Sequence, residues 1–165
     1  MNQHDLKKLN FHEYHPMREA NHTWGDDMKR KIEYASVFLS GGIIYSLIEI
    51  LWRGYTHWTM TLVGGLCFLL LYVINNRMTS CPLLKRCLIG AGIITVIEFA
   101  AGVVVNIIFG LDVWDYSGMS FNILGQVCLF FSCMWFMLCI PAFLLSTIMH
   151  TFFEGIDIGE NRESA

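Results

Sequence analysis

The chain has 165 residues, enough for one domain of ordinary size; 55% are hydrophobic and only 15% charged, against roughly a quarter charged in a typical soluble domain. This composition excludes a disordered or collagen-like chain and argues against a soluble enzyme. Eleven Lys and Arg against 14 Asp and Glu leave a net charge of -3, so no basic field is available to hold nucleic acid, and none is expected as a partner.

Residues 1–33 are polar and carry four of the six histidines, His4, His12, His15 and His22. His12-x-x-His15 with His22 is one reading of a metal set. Helix-face ligation wants a fuller set of ligands, so solvated histidines are expected instead, with no metal and no cofactor. Leu6, Leu9 and Phe11 give this segment a weak helical period suited to a membrane surface. No short apolar stretch follows a basic start, so no cleaved leader is expected and the first span serves as the insertion signal.

A helix crossing a hydrocarbon core of ~30 Å needs about 20 mainly apolar residues, because its backbone polar groups must be satisfied within the segment. Four stretches meet that need, at about 34–52, 57–74, 87–109 and 121–149. The expected fold is therefore all-α, a polytopic membrane protein built as a four-transmembrane-helix bundle. A polar segment 1–33, a bundle 34–150 and an acidic tail 151–165 are the expected divisions. The fourth stretch is long and contains Pro141, which predicts a kink, a tilt or an interfacial last turn. The six cysteines form no C-x-x-C pair and lie mostly in apolar segments, so disulfides are not indicated.

Lys and Arg set the orientation. Lys7, Lys8, Arg18, Lys29, Arg30 and Lys31 precede the first span, Arg77, Lys85 and Arg86 lie between the second and third, and Arg162 lies in the tail; the remaining loops hold Arg53 alone. Cytoplasmic segments retain positive charge, which places both termini and the middle loop in the cytoplasm of a multi-pass protein of the cell membrane. Trp52, Trp58 and Trp114 then fall near the outer boundary, where amphipathic rings are at home.

An ionisable side chain in hydrocarbon costs at least ~2.5–3.5 kcal/mol, so it must be paired, protonated or wetted. Glu98 falls near the middle of the third span and reads either as a proton or cation site or as a neutral acid bonded to its neighbours. Glu49 lies one turn before Arg53, and an i,i+4 pair satisfies it without any further task. Asn106, Asn122 and Gln126, with Asp112 and Asp115, fall toward the same leaflet. Converging, they make a polar recess above Glu98 suited to a cation or an amine; diverging, the amides are glue between helices worth ~0.6–2 kcal/mol each. Gly41-Gly42, Gly64-Gly65, Gly90, Gly92 and Gly102 are expected to allow close helix approach. Phe130, Phe131, Met134 and Phe136 read as packing or lipid-facing residues.

Three stretches carry a resemblance: Cys81-Pro-Leu-Leu-Lys-Arg-Cys-Leu88, Ile97-Glu-Phe-Ala-Ala-Gly102, and Trp114-Asp-Tyr-Ser117 followed by Phe121-Asn122 and Gly125-Gln126. From roughly Gly41 to Pro141 the chain resembles the putative ABC-transporter type IV family, also called CmpB-like. The resemblance implies that Glu98, Gly102, Trp114, Asp115, Tyr116, Ser117, Asn122 and Gly125 belong to a shared motif. No G-x-x-x-x-G-K-[ST] loop is present, so ATP hydrolysis would fall to a separate chain.

The expected function is a permease-like or accessory component of transport with Glu98, Glu49, Asp115, Asn122 and Gln126 at its ligand or proton site. The alternative is a non-catalytic scaffold or regulatory subunit that docks a cytoplasmic partner. Lipid bilayer, further copies of the chain, and a separate ATPase or cytoplasmic partner are the expected partners. Enzymatic activity is not expected, because Glu49 and Glu98 fall at different depths and no histidine lies deep in a span.

Overall fold

The computed structural model describes the backbone of residues 16–163 and the side chains of residues 27–156. The side chains of His12, His15 and His22, and with them the metal reading, lie outside the described residues. In chain order come α1 (Pro16–Arg53), α2 (Trp58–Arg77), α3 (Leu83–Gly102), a π-helical segment (Val103–Ile108), β1 (Asn122–Ile123), β2 (Val127–Cys128) and α4 (Leu129–Glu163). Among the described residues, four helical spans are long and apolar enough to cross a membrane: Asp27–Arg53, Trp58–Arg77, Leu83–Ile108 and Leu129–Ile156.

The described residues divide after Glu33 into two compact units. In the first, Arg30 Nη2 lies 3.9 Å from Asp27 Oδ1, an exposed pair one turn apart that contributes little.

In the second unit, helices α1 and α2 meet through their glycine pairs. A methyl at Gly42 would stand 2.6 Å from the Thr61 carbonyl oxygen and one at Gly65 2.7 Å from that of Phe38, while Gly41 and Gly64 abut Phe68 and Tyr45. Ser46 and Thr61 hydroxyls add a 2.8 Å bond across this seam. Gly92 departs from the expectation: nothing stands within 4 Å of a methyl placed there.

Cys67, Leu71, Cys87, Ile94, Cys139 and Phe143 form the apolar core shared by α2, α3 and α4. The cysteines are free thiols among the described residues. Lipid is as apolar as these side chains, so packing and hydrogen bonds rather than hydrophobic transfer hold the helices together. Asn75 supplies one such tie. Its Nδ2 donates to Thr147 Oγ1 at 2.9 Å and Ser146 Oγ at 3.2 Å, and its Oδ1 accepts from Arg86 Nη1 at 2.6 Å.

The fourth span differs from the sequence reading. Residues 121–128 are apolar enough to pass for the first turns of a helix, yet α4 starts at Leu129. Leu124 and Gly125 both take positive φ, 52° and 68°, and the Gln126 N–H reaches the Ile123 carbonyl at 3.0 Å. That is the hairpin turn that matches strand twist, and it pairs Asn122 with Cys128 and Ile123 with Val127. At its other end α4 passes through Pro141 and continues to Glu163.

Candidate functional site

At the end of the bundle where α1 stops and α4 starts, residues 109–128 fold into a compact connection. The π-helical segment launches it. Wide turns bring the Phe109 N–H to the Val104 carbonyl at 3.0 Å and the Leu111 N–H to the Val105 carbonyl at 3.1 Å, and Asn106 is buried among its neighbours. Asn106 Nδ2 donates to the Trp114 carbonyl at 2.9 Å and to Gln126 Oε1 at 2.8 Å, and its Oδ1 accepts the Val113 N–H at 2.8 Å. The Trp114 indole donates to the Gln126 carbonyl at 2.9 Å. Gln126 is seated on Gly102, where a methyl would stand 2.5 Å from its Oε1. Even a methyl at position 102 would force Gln126 to shift from this seat.

Asn122, Asp115 and Ser117 shape turns. Asn122 Nδ2 donates to the carbonyls of Met119 at 2.8 Å and Ser117 at 3.1 Å, and its Oδ1 accepts the Gly125 N–H at 3.1 Å. Asp115 Oδ1 accepts the Ser117 N–H at 2.8 Å and the Ser117 hydroxyl. The Ser117 hydroxyl and then its backbone N–H hold the exposed Asp115 carboxyl below the usual range. The Tyr116 N–H meets the Gly125 carbonyl at 2.7 Å. These bonds aim Tyr116 back into the bundle.

There it reaches Glu98. Glu98 is 3% exposed on α3, within a turn of the middle of its span. Trp135 Nε1 of α4 donates to Oε2 at 2.7 Å, and the Tyr116 hydroxyl donates to Oε1 at 3.3 Å. Each carboxyl oxygen thus has one donor from a different element. Burial, and then the nearby Glu98, raise the Tyr116 phenol well above its usual range, so it remains a donor at neutral pH.

Both donors have a second face. Trp135 stacks on Tyr45 of α1 at 5.8 Å between ring centroids, and Tyr116 stacks on Phe131 at 4.5 Å. These rings wall a cavity of about 370 Å³ between α1, the connection and α4. Glu49 and Arg53 supply its charged groups. Glu49 accepts from Arg53 Nη2 at 2.6 Å and from the Thr56 hydroxyl at 2.5 Å, and Arg53 Nη1 donates to the Val113 carbonyl at 2.8 Å. The i,i+4 pair expected of Glu49 is therefore present, and Arg53 also ties α1 to the connection.

The expected recess is rearranged. Glu98 and Tyr116 come together and Glu49 lines the adjoining cavity, but Asp115 is exposed, Asn122 closes turns and Gln126 is buried against Gly102; none of these three lines the cavity. For Asn122 and Gln126 the reason is local: residues 121–128 form a hairpin rather than a helix, so side chains placed by helical counting fall elsewhere. Trp114 is 7% exposed, packed within the connection, whereas Trp52 and Trp58 are 68% and 65% exposed. Trp135 was missed in the sequence, although a tryptophan deep in a span needs an acceptor for its N–H. Among the described residues no cluster of three or more His, Cys, Asp or Glu is grouped to hold a metal.

The family model described as Putative ABC-transporter type IV matches residues 36–158, well over half of the chain. The chain belongs to that family. Searches of the curated proteins and of the solved structures return no match. Four apolar spans and membership of this transporter-related family make the protein a multi-pass membrane protein.

Proposed function

We propose that the protein is a permease-like or accessory component of a membrane transport system, non-enzymatic itself, in which Glu98 is the proton- or cation-responsive group. One observation carries the reading: the two side chains that donate to Glu98, Tyr116 and Trp135, are also walls of the cavity. A ligand entering there moves the rings on which the carboxyl depends, and a change in the protonation of Glu98 loosens the same walls. That is a coupling between occupancy and a buried acid. The termini face the cytoplasm of the cell membrane in this reading, with the connection outward, following the distribution of Lys and Arg. Energy from ATP would come through a separate ATPase, and further copies of the chain would complete a path.

Proteoliposomes loaded with a pH-sensitive dye test it. Under an imposed pH gradient the wild-type protein should move protons, and Glu98→Gln should not, with insertion and thermal unfolding in detergent near wild type. Equal flux in both, or a Glu98→Gln protein that is simply unstable, makes the acid structural.

One observation favours a second reading, a scaffold or regulatory subunit: both oxygens of Glu98 already have donors from within the bundle. A carboxyl infrared band that stays in its neutral position at every pH would support it, as would loss of a cytoplasmic partner when residues 1–28 are deleted.

A further inference from the structure

At the far end of α2 from the connection the bundle carries only positive charge. Between Glu49 and Glu98 the sequence has no acidic residue, while Arg77 ends α2 and Lys85 and Arg86 stand in the first turn of α3. The turn between the two helices is pinned, with the Met78 N–H on the Ile74 carbonyl at 2.8 Å and the Cys81 N–H on the Met78 carbonyl at 3.0 Å. Arg77 and Lys85 are exposed and Arg86 is half-buried. No side chain caps the start of α3, so the N–H groups of its first turn add partial positive charge to the same end.

Arg86 is held in place without being neutralised. Its Nη1 donates to Asn75 Oδ1 at 2.6 Å, and its guanidinium carbon stands 5.7 Å from the centre of the Phe143 ring. These contacts fix the group but bring no negative charge to it. Among the described residues no carboxylate pairs with Arg77, Lys85 or Arg86, and Glu154 of α4 lies against His150. Nε is sealed inside the protein and can meet no ligand, whereas Nη2 has no protein acceptor and is not sealed. Arg86 lies three residues inside the span Leu83–Ile108, about 5 Å at 1.5 Å per residue. Ile89 is one turn on from both Lys85 and Arg86, and the same helix face continues through Ile93 to Val96, which is 68% exposed. From Arg86 to Val96 the helix rises about 15 Å, half of a ~30 Å hydrocarbon core. A free phosphate would have to leave water to reach this depth; a phospholipid already holds its phosphate at the boundary and its chains in the oil.

We infer that this end of the bundle binds an anionic phospholipid, its phosphate accepting from Arg86 Nη2 beside the charges of Lys85 and Arg77, and one acyl chain lying along Ile89, Ile93 and Val96. A guanidinium already fixed by Asn75 and Phe143 loses little freedom on meeting a phosphate. A zwitterionic head group brings a cation of its own to three that have no counterion, so net negative charge is what the cluster selects. In the orientation proposed above, the site meets the cytoplasmic leaflet, whose anionic lipids attract such clusters. It uses neither Glu98 nor the cavity beside it, so it stands independently of proton movement there.

Native mass spectrometry of the full chain in detergent, titrated with dioleoyl phosphatidylglycerol and dioleoyl phosphatidylcholine, tests it, since the two lipids share their chains and differ in head-group charge. Phosphatidylglycerol should bind saturably and about tenfold more tightly than phosphatidylcholine. Glycerol 3-phosphate, which has the anion without the chains, should neither bind nor displace it. Arg77→Gln combined with Lys85→Gln changes two exposed residues and should weaken phosphatidylglycerol about fivefold or more, leaving phosphatidylcholine unchanged. Arg86→Gln should remove the remaining preference, and Arg30→Gln, which takes a basic residue from the first unit, should change neither lipid. Equal binding of the two lipids, displacement by glycerol 3-phosphate, or a folded Arg86→Gln protein that keeps the full preference overturns the inference. So does a loss with Arg30→Gln as large as with the paired substitution, since the attraction is then diffuse rather than sited. The lipid comparison on wild-type protein needs no variant to fold, and dye flux through Glu98 is read separately.

Discussion

Glu49 and Glu98 are both glutamates in apolar helices, yet they are satisfied in opposite ways. Glu49 is answered by Arg53 one turn away and Thr56 seven residues away, so its environment comes with its own stretch of chain. Glu98 is answered by Tyr116 and Trp135, 18 and 37 residues on, and therefore depends on the connection and α4 both being in place. A local pair survives almost any bundle. A distant pair reports on the bundle itself.

Substitutions at the two acids sharpen that difference. Glu98→Ala should cost the most, about 2–5 kcal/mol in thermal unfolding in micelles, because two buried donors lose their acceptors and a cavity opens beside them. Trp135→Phe keeps the ring stack on Tyr45 but strands one carboxyl oxygen, for about 1–3 kcal/mol; combined with Tyr116→Phe it should be non-additive, since both act through one carboxyl. Glu49→Gln retains an acceptor for Arg53 near the end of its helix and should cost about 1 kcal/mol or less by the same measurement. If Glu49→Gln proves as damaging as Trp135→Phe, the division between local and distant pairing fails.

Asp115 should matter least. Its carboxyl is held below the usual value by Ser117, so the turn's share of stability is present above the ordinary carboxylate range and is lost as pH falls through the lowered value. Asp115→Asn should leave unfolding at neutral pH unchanged and remove only an acid step below about pH 4.

The same contrast explains what was legible in advance. The Glu49–Arg53 pair and the glycine contacts of α1 with α2 follow from spacing along one helix or from small residues at matched depth. The stretch from Phe121 to Cys128 misled because its apolar composition suits a helix, while positive φ at Leu124 and Gly125 makes it a hairpin. Counting turns through it put Asn122 and Gln126 on a helix face they do not have. Trp135 carried a signal, a buried N–H in need of an acceptor, but nothing in its neighbours names Glu98 as that acceptor.

What the residues determine alone is the class of molecule: apolar stretches of about 20 residues must become hydrogen-bonded helices in lipid, and an acid among them must find company. Which company it finds was decided by the tertiary structure. The π-helical segment and the hairpin turn the stretch Trp114 to Gln126 back onto α3, bringing Tyr116 to the carboxyl that Trp135 of α4 also meets. Hydropathy constrains how far a helix runs through oil; only packing between distant segments selects the donors that meet a buried oxygen.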